Sequence, residues 1–195
     1  YREVSARLAP HLGDNHRVVL FSSKLCGSVE VEHTLHGHGV RGVPVLETDA
    51  LFACRIQDDQ SIWVRGFKGW TLFSGPRHSV TREWAPLVRH FFPGLEAARN
   101  VIQRGLTDFG ALAHPTTMVA NMNRVDRKEP FLFYHEGFTE KTVAVLEEVE
   151  KEFRAVAHAY DAPLVAMKDL LDRYYGCDAS SLLTAMRTVP NYRLS

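Results

Sequence analysis

The apolar residues change their repeat partway along the chain, and that change limits the architectures open to it. Up to residue 74 they cluster in short runs: 16–23 (HRVVLFSS), 43–48, 52–58, 62–68 and 70–74, with breaks at Asp58-Asp59-Gln60 and Gly69. Short β-branched runs bounded by turn residues read as strands, hairpins among them, and the first has the continuous apolar character of a buried parallel strand. From Val80 onward the spacing becomes helical, with Trp84, Leu87, Val88 and Phe91 recurring on one face before Pro93-Gly94 closes the segment. Residues 2–13 and 25–39 read as helices flanking the first strand, and nearly everything after residue 95 reads as helical. The expected fold class is therefore α/β followed by all-α, with a junction near residues 93–100.

The longest helix is expected over residues 140–160. Leu146, Val149, Phe153, Val156 and Tyr160 step by three and four, which places them on one core-facing stripe. Thr139 is its N-cap, Phe138 can staple onto Val143, and Glu147 with Lys151 and Glu150 with Arg154 are pairs four apart on a solvated face. Pro163 limits this helix, and residues 164–175 and 181–186 supply two shorter ones.

Charge and cysteine usage exclude several function classes. The 195 residues carry 23 Lys and Arg against 23 Asp and Glu, so no electrostatic footprint for nucleic acid or an anionic membrane is present. No run approaches the roughly 20 apolar residues of a bilayer span, and the first residues lack the pattern of a signal peptide, so a cytoplasmic location is expected. Cys26, Cys54 and Cys177 are odd in number and form no C-x-x-C pair, which leaves neither a disulfide framework nor a zinc ribbon. His33, His36 and His38 lie close together, but the break at Gly37 and the lack of a neighbouring carboxylate or thiol make them a helix end, with no metal expected. No Gly-x-Gly-x-x-Gly, Walker-type loop or Gly-x-Ser-x-Gly elbow occurs.

The segment that can carry chemistry is Asn100 to Asn121. Pro115 at a first helical position would make His114 the cap or its neighbour, and Asn121 lies two turns further along the same face. An imidazole with an ordinary pKa near ~6.5 exchanges protons at neutral pH, and a helix N-terminus beside it favours the neutral form. The same residue could equally serve as a plain cap or satisfy a buried carbonyl. Cys54, in Leu51-Phe52-Ala53-Cys54-Arg55-Ile56, is either a thiol at a site or a small buried hydrophobe.

Four segments together resemble the opine dehydrogenase family, the octopine and nopaline dehydrogenase type: VVLFSS with KLCGS; VLETDALFACRI; NVIQRGLTDFGALAHPTTMVAN; and FLFYHEGFTEKTVAVLEEVEKEFRAVAHAY. The specific elements are His-Pro with Asn seven residues later, followed by Phe-Tyr-x-x-Gly-x-Thr; Thr139-Glu140 departs from the Thr-Pro common at that place. The resemblance implies that residues 1–94 are the second half of a Rossmann-like dinucleotide-binding domain and residues 95–195 a helical substrate domain. It implies NAD or NADP as cofactor, and an amino acid and an α-keto acid as substrates joined through a reduced imine. It makes His114 the catalytic acid or base, puts Asn121 and Thr117 in the substrate pocket, and puts Cys54 beside the cofactor. A homodimer is left open. The family's glycine-rich first βα unit is expected before Tyr1, and its Arg-x-x-x-x-Asp segment after Ser195, so residues 1–195 alone are expected to bind cofactor poorly and turn over slowly or not at all.

Two other readings compete. One is a catalytically silent binding module on the same fold, with the Tyr174-Tyr175 region or the acidic helix as contact surface. The other is a two-domain β-hydroxy-acid dehydrogenase, an enzyme type that typically uses a Lys and Asn pair where this chain has His114 and Asn121.

Overall fold

The computed structural model describes residues 1–192, and the chain divides into two compact units. One comprises Tyr1–Leu51 and Trp70–Thr107; the other comprises Phe52–Gly69 and the chain from Asp108 onward. The boundaries between these compact units fall after Leu51, Gly69 and Thr107. The cause is pairing: the two strands inside 52–69 bond only to each other, while the helix that follows residue 100 packs on the sheet of the first unit.

The first unit contains α1 (Arg2–Leu8), β1 (Val18–Leu20), α2 (Gly27–Gly37), β2 (Val45–Thr48), β5 (Thr71–Ser74), α3 (His78–Phe91), β6 (Leu95–Ala97) and α4 (Val101–Leu106). Its sheet runs in the order β1-β2-β5-β6, with β1 parallel to β2, β5 parallel to β6, and β2 antiparallel to β5. All four residues of β2 are buried, and alternation along the strand sends Val45 and Leu46 to opposite faces. Val45 packs with Ala9, Val31 and Leu35 from the α1 and α2 side, whereas Leu46 packs with Phe73, Val88 and Leu95 and with Trp84 of α3. Helices therefore cover both faces of this sheet, the condition under which a strand reads as a continuous apolar run. Strand β6 was not expected; it spans three residues, too few to show a period.

Gly27 opens α2 where no side chain fits. A Cβ there would lie 2.7 Å from the Tyr1 ring and closer still to Ser23 Oγ, and Cys26 before it takes the left-handed conformation at φ 61°.

The second unit contains the hairpin of β3 (Phe52–Ile56) and β4 (Ile62–Phe67), followed by α5 (Phe109–Ala120), α6 (Met122–Asp126), α7 (Glu140–Ala159), α8 (Met167–Tyr175) and α9 (Leu182–Thr188). Ala53 pairs with Gly66 and Cys54 with Val64, so Arg65 is the extra residue of a bulge. The hairpin is tied to α8 where Gly69 N donates to the Tyr174 carbonyl at 2.7 Å and Lys68 Nζ sits 4.0 Å over the Tyr174 ring.

Helix α7 begins as expected, with the Thr139 side chain accepting from Thr142 N. Its buried face differs. Thr142, Val143, Leu146 and Ala157 are buried and Phe153 is half-buried, while Val156 and Tyr160 are 51% and 59% exposed. The steps 143, 146, 150, 153 and 157 follow the 3.6 period, and small Ala157 allows close packing there; Val156 and Tyr160 sit one residue out of phase. Lys151 pairs with Glu148 at 2.6 Å and not with Glu147, whereas Arg154 meets Glu150 at 3.7 Å. Among the described residues no helix is long and apolar enough to cross a membrane.

Candidate active site

His114 lies inside α5, not at its start. Asp108 caps the helix by accepting from Ala111 N at 3.1 Å, a stronger N-terminal signal than Pro115, which is carried within the helix. The expected favouring of a neutral His114 by a helix N-terminus beside it therefore does not apply. Gly110, one turn earlier, leaves the space the imidazole fills: a Cβ there would lie 3.3 Å from His114 Cε1. The ring is exposed, and its Nε2 meets the Tyr134 hydroxyl at 2.7 Å. Phe133 packs edge-on against the imidazole with ring centres 5.5 Å apart.

Asn121 and Thr117 lie on the same face of α5, as their spacing requires. Asn121 caps the helix, and its Nδ2 donates to the Thr117 carbonyl at 2.9 Å and to the Gly137 carbonyl at 3.0 Å. The bond to Gly137 thus clamps the segment 131–138 onto α5, while the bond to Thr117 fixes the amide on the helix's own last turn. Thr117 is 0% exposed and its Oγ1 has no hydrogen-bond partner among the described residues, so a ligand reaches it only if that segment parts.

Gly137 makes the clamp close-fitting. A Cβ there would stand 2.9 Å from Thr117 Cγ2 and closer to the Phe133 carbonyl, and the Gly137 carbonyl also accepts from Thr142 Oγ1 at 3.1 Å. Gly137→Ala is expected to cost about 1–3 kcal/mol of stability, as overpacking typically does. Thermal denaturation checks this; an unchanged melting temperature would contradict the packing.

The Tyr134 ring stacks on Tyr192 at 3.9 Å with an interplanar angle of 12°, and Tyr175 meets Tyr192 edge-on at 5.8 Å. Burial raises the Tyr134 hydroxyl above the usual phenol range, with the Arg65 charge acting in the opposite direction. Burial, followed by the neighbouring tyrosines and Cys177, pushes Tyr192 well above it. Both rings are neutral phenols at pH 7, so Tyr134 can donate to His114 or accept from it. Sequence reasoning passed over Tyr134; its place in the Phe-Tyr-x-x-Gly-x-Thr motif was the available signal.

Cys54 lies on β3, whose five residues are all exposed. His114, Thr117 and Asn121 come together on α5, and Cys54 belongs to the hairpin. Among the described residues no group of three His, Cys, Asp or Glu is arranged to hold a metal ion.

The first unit holds a second polar cluster that the sequence did not announce. Glu47 and Arg104 are 0% and 1% exposed, and Arg104 Nε donates to Glu47 Oε1 at 3.0 Å. The second carboxylate oxygen accepts from Ser28 N at 2.5 Å, and Arg104 Nη2 donates to the Ser23 carbonyl at 2.6 Å. The Ser28 amide in the first turn of α2 thus already holds an anion from within the chain.

A family model described as NAD/NADP octopine/nopaline dehydrogenase, alpha-helical domain, matches residues 97–195. The chain belongs to the octopine/nopaline dehydrogenase family. An opine dehydrogenase from Arthrobacter sp. (strain 1C) is 26% identical over 195 residues, covering 99% of this chain and 54% of the relative. The chain spans about half the length of that relative. Among solved structures, an octopine dehydrogenase in complex with NADH and agmatine superposes with a TM-score of 0.70 at 19% identity, covering 98% of this chain and 52% of that one. A yersinopine dehydrogenase with NADP+ bound gives 0.64 at 15% identity, covering 86% and 43%. At these identities the likeness is one of fold, a Rossmann-type unit with a helical domain, as the resemblance implied; the change of period by itself pointed to α/β followed by all-α.

Proposed function

We propose that the protein carrying this chain is an NAD(P)H-dependent opine dehydrogenase. It condenses an α-keto acid with the amino group of an amino acid and reduces the resulting imine to a secondary amine. The observation that carries the reading is the 2.7 Å contact between His114 Nε2 and Tyr134 OH, made by the two motifs on which the family resemblance rests.

The condensation requires an ammonium group to lose a proton before its nitrogen attacks the keto carbon, and the carbonyl oxygen to gain protons before it leaves as water. One imidazole at the reacting carbon can serve both transfers, because its two forms interconvert near neutral pH. His114 takes this role. Tyr134, a neutral phenol fixed by stacking on Tyr192, holds the imidazole's orientation and tautomer. Asn121 and Thr117 form the wall of α5 under the substrate, with Asn121 acting chiefly by securing residues 131–138.

NAD or NADP supplies the hydride. The described residues do not form a phosphate cradle for it, since the α2 amide that would face an anion is held by Glu47 and the space at Gly27 is filled by Tyr1. The remaining parts of the reading are a dinucleotide-binding role for residues 1–94, a substrate role for residues 95–195, Cys54 beside the cofactor, an amino acid and an α-keto acid as substrates, a homodimer, and a cytoplasmic location.

Tyr134→Phe tests the positioning role. The variant keeps the stacked ring and removes the hydroxyl, so kcat of the complete protein is expected to fall about 10-fold, the worth of one hydrogen bond to a reacting group. Nitrogen-15 spectra of His114 should show an altered tautomer balance. Unchanged kcat with an unchanged spectrum would remove Tyr134 from the site.

A further inference from the structure

We propose that Arg65 anchors the carboxylate of the keto-acid substrate beside His114. The inference rests on the opine dehydrogenase reading and adds to it a binding residue from the hairpin.

The bulge between Ala53 and Cys54 on one strand and Gly66 and Val64 on the other leaves Arg65 without a ladder partner. Bulges re-aim a side chain, and this one directs a half-buried cation toward the tyrosine cluster. Arg65 Nη2 donates to the Asn191 carbonyl at 3.1 Å, and the next residue, Tyr192, stacks on Tyr134. Tyr134 in turn touches His114 at 2.7 Å. Gly66 allows the approach, because a Cβ there would overlap the Asn191 side chain.

Arg65 has no carboxylate partner among the described residues. Its guanidinium lies 5.4 Å from the Trp63 ring centre and donates to one backbone carbonyl. The groups around it, Tyr134 and Tyr192, are neutral, and its charge is felt at Tyr134. A half-buried guanidinium that donates to one backbone carbonyl, and whose charge reaches the tyrosine that touches the acid-base imidazole, is suited to a planar carboxylate, which it can bind through two parallel hydrogen bonds. An opine-forming enzyme handles two substrate carboxylates and one reacting carbonyl. In pyruvate the carboxylate adjoins that carbonyl, so an anchor beside His114 places the keto carbon where protons are transferred.

The test titrates the complete protein, with oxidised cofactor present, with pyruvate and with methyl pyruvate, and repeats both titrations for Arg65→Met and Arg65→Lys. Arg65→Met is expected to weaken pyruvate binding roughly 10- to 100-fold, the usual worth of a charge-assisted hydrogen-bonded contact. Arg65→Lys should recover part of the loss, and the loss should fall on KM more than on kcat. Methyl pyruvate, which lacks the charge, should bind Arg65→Met and the parent alike. Undiminished pyruvate binding by Arg65→Met, or an equal loss for both compounds, overturns the inference. Undiminished turnover by His114→Ala overturns the opine reading instead, and that result is separate from these titrations.

Discussion

His114→Ala is expected to lower kcat of the complete protein by roughly two to four decades, the range a general acid-base residue contributes. The imidazole is exposed on α5, Gly110 leaves room for it, and the Tyr134 hydroxyl meets it at 2.7 Å. Alanine removes the proton carrier without emptying a buried core site, so the fold and the melting temperature should be nearly retained. The loss should exceed that of Tyr134→Phe by at least tenfold, because the phenol acts through the imidazole and not in its place. A His114→Ala variant that keeps more than about a tenth of the parent's turnover would sink the assignment.

The second large effect is on stability and lies in the other unit. Arg104→Met should destabilise the protein by about 3–5 kcal/mol, because it leaves Glu47 charged, buried and without its partner. Both side chains are sealed from solvent, and the guanidinium also holds the Ser23 carbonyl, so one residue of α4 fastens β2 and the loop leading into α2. Arg104 Nη1 has no hydrogen-bond partner among the described residues, a further cost of the buried pair. Converting Glu47 to leucine in the same chain should restore much of the loss, since an apolar pair of similar volume needs no compensation. Urea denaturation of the single and double variants measures both. A single-variant loss below about 1 kcal/mol would show that the pair is not as dry as its burial implies.

The parts of the fold legible in the sequence were those written locally. The run 43–48 announced a strand, Asp58-Asp59-Gln60 announced the hairpin turn, and Thr139 announced the start of α7, but the buried parallel strand expected at 16–23 is β2 instead, since β1 is a half-buried edge strand. The spacing of His114 and Asn121 correctly put them on one face, since both reach the segment 131–138. Pro115 misled because proline also survives inside a helix whose cap is set elsewhere, here by Asp108. Val156 and Tyr160 misled because steps of three and four drift off a stripe unless their phase follows 3.6. Three pairings had no local signature. Glu47 and Arg104 are 57 positions apart, Arg65 and Asn191 are 126 apart, and Tyr134 finds Tyr192 only once the helices have packed. A glutamate in a buried strand and an arginine on a short helix carry no mark of each other until the sheet brings them together.

The central claim is that the protein reduces the condensation product of two substrates, and one assay tests it most directly. NADH or NADPH oxidation by the complete protein is followed with pyruvate alone, with an amino acid alone, and with both. The account predicts oxidation only with both present, one secondary amine formed per nicotinamide oxidised, and loss of that activity in His114→Ala. Oxidation with the keto acid alone, yielding the hydroxy acid at the same rate whether or not an amine is present, would contradict it.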